Sequence, residues 1–308
     1  MTRVLTGEGA GTGVAYAACR AIARSRAKNF YYAFVALPVP RRNAICAIYA
    51  FMRRADDLAD DEGLPVGERR RLLDEWLAEW REVCRGAPTA DPVFLAVRDA
   101  TMRFEIPLGL LDELVAGITR DLTPRTGDAP DTYATFDDLY DYCYGVASVV
   151  GLVCIRIFGY KDPGAEKLAE ETGIAFQLTN ILRDVAEDAE RNRVYLPLED
   201  LRAQGVSLES LLRRERGTPP TPSERALLAE IGRRAEGYYK SAHMLLPLID
   251  RESQPAMLAL VTIYHRLLER IRRADYDVFS SRASVPMVQK LGVLAVAQAR
   301  MALARLFV

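Results

Sequence analysis

The chain has 308 residues, half of them hydrophobic and 27% charged, so it can bury a large core and is neither fibrous nor disordered as a whole. Its 41 Lys and Arg residues are balanced by 42 Asp and Glu residues, which argues against a nucleic-acid partner. Five cysteines without a CxxC pair, and no apolar run of signal-peptide or membrane-spanning length, predict a soluble, cytoplasmic protein with reduced thiols.

Apolar residues recur at intervals of three and four along most of the chain, which predicts an all-α fold. No alternating apolar and polar stretch is long enough to predict a sheet. We interpret residues 1–308 as one domain, with a disordered start at 1–13 and an irregular polar connection at 120–131. In chain order, the predicted helices lie within residues 41–61, 67–84, 139–159, 165–188, 224–246 and 255–279.

Two predicted helix starts carry a capping box. Thr135 precedes Asp138 by three residues, and Thr221 precedes Glu224 in the same way. In this motif the threonine hydroxyl and the acidic side chain each accept a hydrogen bond from the other residue's backbone N–H. We therefore expect helices to begin directly after the two threonines.

The stretch FMRRADDLADDEG, residues 51–63, places four aspartates within six positions. On a helix, Tyr49, Arg53, Asp56 and Asp60 fall within about 60° of one another and form a polar stripe beside apolar residues. Like charges at this spacing repel, so either water screens them or a cation binds among them. Alone, this stripe is typical of a solvated acidic helix end.

A second stripe changes that interpretation. In QLTNILRDVAEDAERNRVYLP, the side chains of Gln177, Asn180, Asp184 and Asp188 again fall within about 60°, and the adjacent face is apolar. A buried amide without a partner costs about 1–3 kcal/mol, and a buried carboxylate costs more. Two such helices indicate a shared counter-ion, with two exposed acidic faces as the alternative.

Mg²⁺ fits this pattern, because it takes oxygen ligands and commonly joins carboxylates to substrate phosphates. Zinc fits poorly, since neither His243 nor His265 has ligand spacing with a cysteine. Arg53, Arg183 and Arg193 lie on or beside the stripes. Each alone is typical of a surface ion pair, but together they favour a clamp for a diphosphate.

The helix predicted over 139–159 is apolar nearly all round and is thinned by Gly145, Ala147, Ser148 and Gly151. Close helix packing is the ordinary reason to accept glycine inside a helix, where it costs about 0.5–1 kcal/mol relative to alanine. A groove for a long hydrocarbon is the functional interpretation. Both can hold at different turns of one helix.

Five stretches carry a resemblance to a known family: KNFYYAFVALP, AIYAFMRRADDLAD, YCYGVASVVG, GIAFQLTNILRDVAEDAERNRVYLP and IYHRLLERIRRADYDVF. Across about residues 24–290 the chain resembles the squalene/phytoene synthases, and QLTNILRDVxED followed by RVYLP is the most specific match. The resemblance implies a single-domain class I isoprenoid synthase fold, all-α, with helices around a central apolar cavity.

The resemblance also implies a reaction, the head-to-head joining of two prenyl diphosphates through a cyclopropylcarbinyl diphosphate. Mg²⁺, with Mn²⁺ as an alternative, and basic residues would stabilise the departing diphosphate. An apolar cavity would keep water from the carbocation. Use of NADPH is left open, because squalene-forming relatives bind it without a G-x-G-x-x-G fingerprint, which this chain lacks.

Carried over position by position, the resemblance gives each site residue an expected role. The metal ligands are Asp56, Asp60, Asp184 and Asp188; the diphosphate-binding residues are Lys28, Asn29, Arg53, Arg183, Arg193, Tyr264 and Arg282; and the residues near the reacting carbons are Tyr49, Tyr142, Tyr195, Gln177 and Asn180.

Three positions depart from the family pattern. Many members have a serine where Asn29 stands, paired arginines where this chain has Ser281 and Arg282, and a glycine in place of Ser148. With one arginine fewer than the family pattern, the chain is expected to bind the second diphosphate differently. Ser148 is expected to narrow the cavity locally.

The substrate length is open at this point, and we favour farnesyl diphosphate, giving presqualene diphosphate, squalene or dehydrosqualene. Phytoene synthesis from geranylgeranyl diphosphate is the alternative. A terpene cyclase or chain-elongating synthase would share the DDxxD motif, but the mirrored Asp184 and Asp188 with RVYLP argue against both.

Two alternatives belong to another class of protein. A non-catalytic helical assembly protein would be expected to have degraded aspartate positions, and none of the four is degraded. The apolar stretch 285–308 favours a closing core helix over a membrane-surface module. Peripheral membrane contact and downstream isoprenoid enzymes as partners are compatible with catalysis.

Overall fold

The computed structural model describes residues 5–27, 31–61, 63–119, 130–215 and 217–306. In chain order its α-helices are α1 (Leu5–Arg26), α2 (Tyr31–Val35), α3 (Val39–Ala59), α4 (Val66–Cys84), α5 (Pro92–Arg103), α6 (Leu108–Thr119), α7 (Phe136–Cys143), α8 (Val149–Phe158), α9 (Gly164–Glu190), α10 (Leu198–Ala203), α11 (Leu208–Leu212), α12 (Pro222–Leu245), α13 (Gln254–Arg273) and α14 (Met287–Leu306).

Shorter elements complete the architecture. A π-helical turn, Tyr144–Ser148, joins α7 to α8, and a 3₁₀ turn, Leu246–Leu248, follows α12. Strands β1 (Asp131–Thr132) and β2 (Arg193–Val194) form one short parallel pair. The prediction of an all-α fold is confirmed, and the predicted helical segments coincide with α3, α4, α7 to α8, α9, α12 and α13. The strand pair was not predicted, because two residues are too few to show periodicity.

The N-terminal helix overlaps the segment 1–13, whose expected disorder stays a prediction. Helix α1 begins at Leu5, and residues 1–4 lie outside the described part. The buried side chains of Ala15, Tyr16 and Cys19 belong to the core cluster, and α1 packs on α3 and α5. The Tyr16 hydroxyl donates a 2.6 Å hydrogen bond to Asp99 in α5. Tertiary packing therefore holds the part of α1 from Ala15 onward against α3 and α5.

Both predicted capping boxes are present. The Thr135 hydroxyl accepts from the Asp138 N–H at 3.2 Å, and the Asp138 carboxylate accepts from the Thr135 N–H at 2.9 Å. Thr221 and Glu224 make the same pair of bonds, at 3.3 and 2.7 Å. These boxes fix the starts of α7 and α12, two helices that pack on α9.

Helix α9 is the central element, in contact with α7, α8, the π turn, α12 and α13. Its approach to the π turn is very close, since a Cβ on Gly173 would lie 2.6 Å from the Ser148 Cα atom. A Cβ on Gly117 in α6 would lie 2.8 Å from the Gly145 carbonyl carbon on the other side. The packing interpretation of the small residues is therefore correct at these positions.

The continuous helical stretch Phe136–Phe158 is long and apolar enough to cross a membrane by length and composition alone. Half of its most apolar window is buried inside the protein, where it packs against α6 and α9. Its apolar character is thus accounted for by packing in the core.

Candidate active site

An apolar cavity lies among α3, the π turn, α8, α9 and α13. Its empty space is about 1090 Å³, part of which is open to solvent. Most of its lining is hydrophobic, including Ile45, Ile48, Phe158, Met257 and Leu260. Val146, Ala147 and Gly151 also line it, so the small-residue helix contributes both to close packing and to cavity wall.

The larger polar groups of the lining are Tyr49, Gln177, Asn180 and Tyr264. Tyr49 precedes Asp56 on α3 by about two turns, and Asn180 precedes Asp184 on α9 by about one turn. The two acidic stripes therefore continue from the polar end of the cavity, which we call the mouth. The opposite end, around Phe158 and Met257, is lined by apolar side chains.

Asn180 carries an unsatisfied group at the mouth. Its Nδ2 atom donates to Gln177 Oε1 at 3.4 Å, and its buried Oδ1 atom has no hydrogen-bond partner among the described residues. Burial raises the pKa of the neighbouring Tyr264 to about 12, against the lowering effects of Arg183 and Asn180. A buried amide oxygen without a donor costs about 1–3 kcal/mol, which a polar ligand in the cavity would recover.

The stripe on α9 is held by two arginines. Arg183 Nε donates to Asp184 Oδ1 at 2.8 Å, and Arg282 Nη2 donates to the same oxygen at 2.8 Å. Burial raises the pKa of Asp184, but these hydrogen bonds outweigh it and keep the pKa below its ordinary value. Arg282 also pairs with Glu187 at 3.2 Å. Arg282 is therefore part of the site even though a serine precedes it.

Asp188 lies one turn further along α9 and is in a different electrostatic environment. Burial and the nearby charge of Asp184 raise the pKa of Asp188 to about 7, although Arg193 and Arg191 lower it. Two carboxylates this close resist being ionised together unless a cation joins them. Asp188 is thus the carboxylate of the α9 stripe whose ionisation would gain most from a bound cation.

The stripe on α3 is more open. Arg53 pairs with Asp57 at 2.5 Å, an i to i+4 contact on the helix surface. Asp56 is half-buried, whereas Asp60 is exposed and caps the end of α3, its N–H bonding the Asp56 carbonyl oxygen at 2.8 Å. This stripe therefore presents its last aspartate to solvent.

The four aspartates offer carboxylate oxygens only, the donor set that suits a hard divalent cation such as Mg²⁺. The raised pKa of Asp188, caused by burial and by Asp184, indicates a place where such a cation would be favoured. A divalent metal therefore fits the residues present.

A different cluster has metal-like geometry, Glu236, His265 and Glu269, whose ligand atoms lie within 4.8 Å of one another. Sequence analysis missed it, although His265 and Glu269 are four residues apart on one helix. His265 Nε2 contacts Glu236 at 2.9 Å, and Glu269 pairs with Arg272 at 2.8 Å. These partners account for the cluster without a metal.

The predicted tyrosines separate into two places. Tyr49 lines the cavity, whereas Tyr142 and Tyr195 are buried and stacked on each other, 5.0 Å between ring centroids. Tyr133 stacks on Tyr195 at 6.0 Å. The β1–β2 pair and the left-handed Asn192, with φ 59°, bring this stack together. Among the described residues, neither Tyr142 nor Tyr195 lines the apolar cavity.

The remaining basic and polar residues near the mouth differ in how far the structure describes them. Lys28 and Asn29 lie outside the described residues. Arg193 is half-buried in β2, on the Asp188 side of the site. Lys290 was not predicted, yet it is buried on α14, and burial together with the charge of Arg183 lowers its pKa. Lys290 thus adds a cation on the side of the site where Arg183 lies.

Solved structures share this fold. A dehydrosqualene synthase crystallised with a ligand matches with a TM-score of 0.81 and 29% identity, covering 94% of this chain and 98% of that one. Squalene synthase HpnC from Alicyclobacillus acidocaldarius matches with a TM-score of 0.77 and 27% identity, covering 86% and 96%. The protein therefore has the class I isoprenoid synthase fold.

The sequence comparisons identify the family. The family model described as squalene/phytoene synthase matches residues 23–289. The phytoene synthase of Mycobacterium tuberculosis is 36% identical over 287 residues, which cover 92% of this chain and 91% of that protein. The chain belongs to the squalene/phytoene synthase family. Members of this family are prenyltransferases that act on prenyl diphosphates, bound with a divalent metal.

Proposed function

We propose that this enzyme joins two molecules of geranylgeranyl diphosphate head to head, through a cyclopropylcarbinyl diphosphate, to form phytoene with the aid of Mg²⁺. The observation that carries this proposal is an apolar cavity whose polar mouth continues into two aspartate stripes. The name of the mycobacterial relative supports the twenty-carbon substrate.

Farnesyl diphosphate, the substrate favoured by sequence analysis, is the second candidate. The names of the dehydrosqualene and squalene synthases of like fold support it, at 29 and 27% identity. The mycobacterial phytoene synthase has a higher identity, 36%, and for this reason we place the twenty-carbon substrate first.

The depth of the cavity is compatible with the longer substrate. Cavity-lining residues on α9 extend from Asn180 back to Ala169, which are eleven positions apart and therefore about 16 Å along the helix axis. The hydrocarbon core of a bilayer is ~30 Å thick, and the chains of one leaflet fill half of it. The depth of the cavity is close to that half-thickness. A long isoprenoid chain can thus extend into the cavity with its diphosphate at the mouth.

Asp56, Asp60, Asp184 and Asp188 are the residues that would hold Mg²⁺. When bound, the metal would supply positive charge to the departing diphosphate.

The remaining roles belong to the protein itself. Arg53, Arg183 and Arg282 can donate several hydrogen bonds each to phosphate oxygens, in fixed planar geometry. Tyr264 and Asn180 place neutral polar groups beside them at the mouth. We assign Lys28, Asn29 and Arg193 to the same diphosphate-binding group on the strength of the family resemblance.

The cavity wall protects the reacting carbons. Its apolar side chains exclude water, which would otherwise capture a carbocation. Tyr49 is the predicted tyrosine that lines the cavity, so we assign it the role of facing the reacting carbons. Tyr142 and Tyr195, which stack away from the cavity, are assigned to supporting the mouth through β2 and Asp188.

A product assay tests this function. Purified protein is incubated with Mg²⁺ and either geranylgeranyl or farnesyl diphosphate, with and without NADPH, and extracts are analysed by mass spectrometry. We expect phytoene from the longer substrate, independent of NADPH. A thirty-carbon product alone would overturn the substrate assignment, and NADPH dependence would show whether it is reduced to squalene. No product from either substrate would overturn the enzymatic proposal.

A further inference from the structure

Over residues 287–299, the outward face of α14 is apolar and uncharged. In residues 287–299, Lys290 is the single charged residue, and it is turned inward with 8% exposure. The side chains of Val288, Leu291 and Val296 are instead exposed by 81, 47 and 54%. At about 100° per residue, these three lie within an arc of about 140°, roughly two fifths of the helix circumference. A continuous apolar face of this kind marks an interaction surface.

The surface beside this face is basic. An open depression between α13 and α14 is lined by Arg266, Arg270, Arg273, Glu269 and Gln289. Glu269 is paired with Arg273 at 3.6 Å. Within the part of the chain that the structure describes, Arg266 and Arg270 make no ion pair. The apolar face thus has two exposed, uncompensated positive charges at its edge.

The inner side of the same helix borders the mouth of the site. Lys290 lies close enough to Arg183 for the two charges to influence each other. Arg282, in the segment that leads into α14, binds Asp184. The outer face of α14 is therefore separated from the mouth of the cavity by one helix diameter, which is about 10 Å.

We propose that the outer face of α14, with Arg266 and Arg270 beside it, docks onto the surface of an anionic lipid membrane. Apolar side chains of an interfacial helix enter the boundary between headgroups and acyl chains, and arginines pair with lipid phosphates. A second copy of this chain suits the surface less well, because a two-fold contact brings like patches, and here like charges, together. Resting on the proposed function, docking would place the mouth beside the phase into which long isoprenoids partition.

Vesicle sedimentation tests this surface. Full-length protein is mixed with vesicles of phosphatidylcholine alone or of phosphatidylcholine with an equal part of phosphatidylglycerol. We expect binding to the mixed vesicles only. The double variant Val288→Glu, Leu291→Glu should lose this binding, and removing Arg266 and Arg270 by alanine should weaken it about fivefold per arginine. Met102→Glu, at a residue exposed by 66% on α5, is the matched control and should bind like the unaltered protein.

Several results would overturn the proposal. They are absence of binding by the unaltered protein, equal binding by the variants, or an equal loss in the Met102→Glu control. Light scattering that shows a dimer, converted to a monomer by the double glutamate variant, would assign the face to a subunit contact instead. If that variant does not fold by circular dichroism, the arginine variants decide. Turnover of detergent-dispersed substrate is measured separately, so failure of docking is distinct from failure of the proposed reaction.

Discussion

The mouth of the cavity and the helices packed around its wall differ in how well their groups are satisfied. At the mouth, Asp184 and Asp188 lie close together on α9, the pKa of Asp188 is raised to about 7 by burial and by Asp184, and Asn180 Oδ1 lacks a donor among the described residues. Around the π turn that forms part of the wall, backbone packs against backbone at Gly117, behind the wall, and at Gly173, with no room for a Cβ. Polar groups are thus left unsatisfied at the mouth, whereas the helices behind the wall are packed as closely as their backbones allow.

From this contrast we expect substitutions in the two regions to affect different properties. Changes at the mouth should lower activity and leave stability unchanged or improved, whereas changes in the wall should lower stability first. The predictions below are ordered by the size of the expected effect.

The largest effect is expected at the mouth. Asp184→Asn or Asp56→Asn should lower turnover at least about 100-fold, as loss of a charge-stabilising group typically does. Steady-state product formation with Mg²⁺ measures this, and circular dichroism should show an unaltered fold. Asp74→Asn, in an exposed ion pair on α4, is the control and should retain activity. Near-normal turnover in either site variant would contradict the metal assignment.

The close packing of α6 behind the cavity wall is tested by Gly117→Ala. The new Cβ would lie 2.8 Å from the Gly145 carbonyl carbon, which is backbone and cannot rotate away. Overpacking of this kind costs about 1–3 kcal/mol, which denaturant unfolding would measure. Gly237→Ala in α12 is the matched control, since its Cβ would meet nothing within 4 Å. That control should be neutral or stabilised by about 0.5–1 kcal/mol, and equal behaviour of the two would refute the packing argument.

Arg282 is predicted to have an intermediate effect. Arg282→Ala should reduce kcat/KM about tenfold, since one exposed charge-assisted hydrogen-bond donor is lost from Asp184. Arg282→Lys should restore little, because an ammonium cannot reproduce the planar donor pair. An Arg282→Ala enzyme with unaltered kcat/KM would assign this arginine to the surface.

Asp188 gives a pH-dependent effect on stability in metal-free protein. Because its folded pKa, about 7, lies above its unfolded value, it contributes no penalty in acid and an increasing one as the pH rises toward 7. Asp188→Asn should therefore be more stable than the unaltered protein at pH 8, by on the order of 1 kcal/mol, and equal to it near pH 4.

Thermal unfolding in EDTA at several pH values measures this difference. Mg²⁺ with inorganic diphosphate should reverse the order at pH 8, because the ionised carboxylate then has a cation. A pH-independent difference between the two proteins would show that Asp188 is not buried beside Asp184 as described.

Much of the mouth could be predicted from sequence, because its signals are local. The two aspartate stripes and the capping boxes depend on residues three and four positions apart, and helix geometry alone aligns them. The stack of Tyr142 on Tyr195 and the approach of Lys290 to Arg183 depend on contacts between distant segments. No spacing in the sequence encodes such contacts, so they required the structure.

Helix α1 shows a further limit of sequence reasoning. Its first residues are rich in glycine and lack an apolar stripe, so local propensity indicated disorder. The Tyr16 to Asp99 hydrogen bond and the burial of Cys19 come from partners in α5 and α3. The placement of the later part of α1 therefore depends on contacts with distant segments, which its own sequence does not encode.

The π-helical turn Tyr144–Ser148 has a consequence for how this enzyme can change over evolutionary time. Such a turn holds one residue more than an α-helical turn, so deleting one residue there could restore an unbroken helix. Because the widened turn already absorbs the extra residue, the deletion would leave the faces of α7 and α8 in place and alter the cavity wall at the turn itself, where Val146 and Ala147 line it. Single-residue insertions and deletions, usually tolerated in loops, would here alter the shape available to substrate in one step.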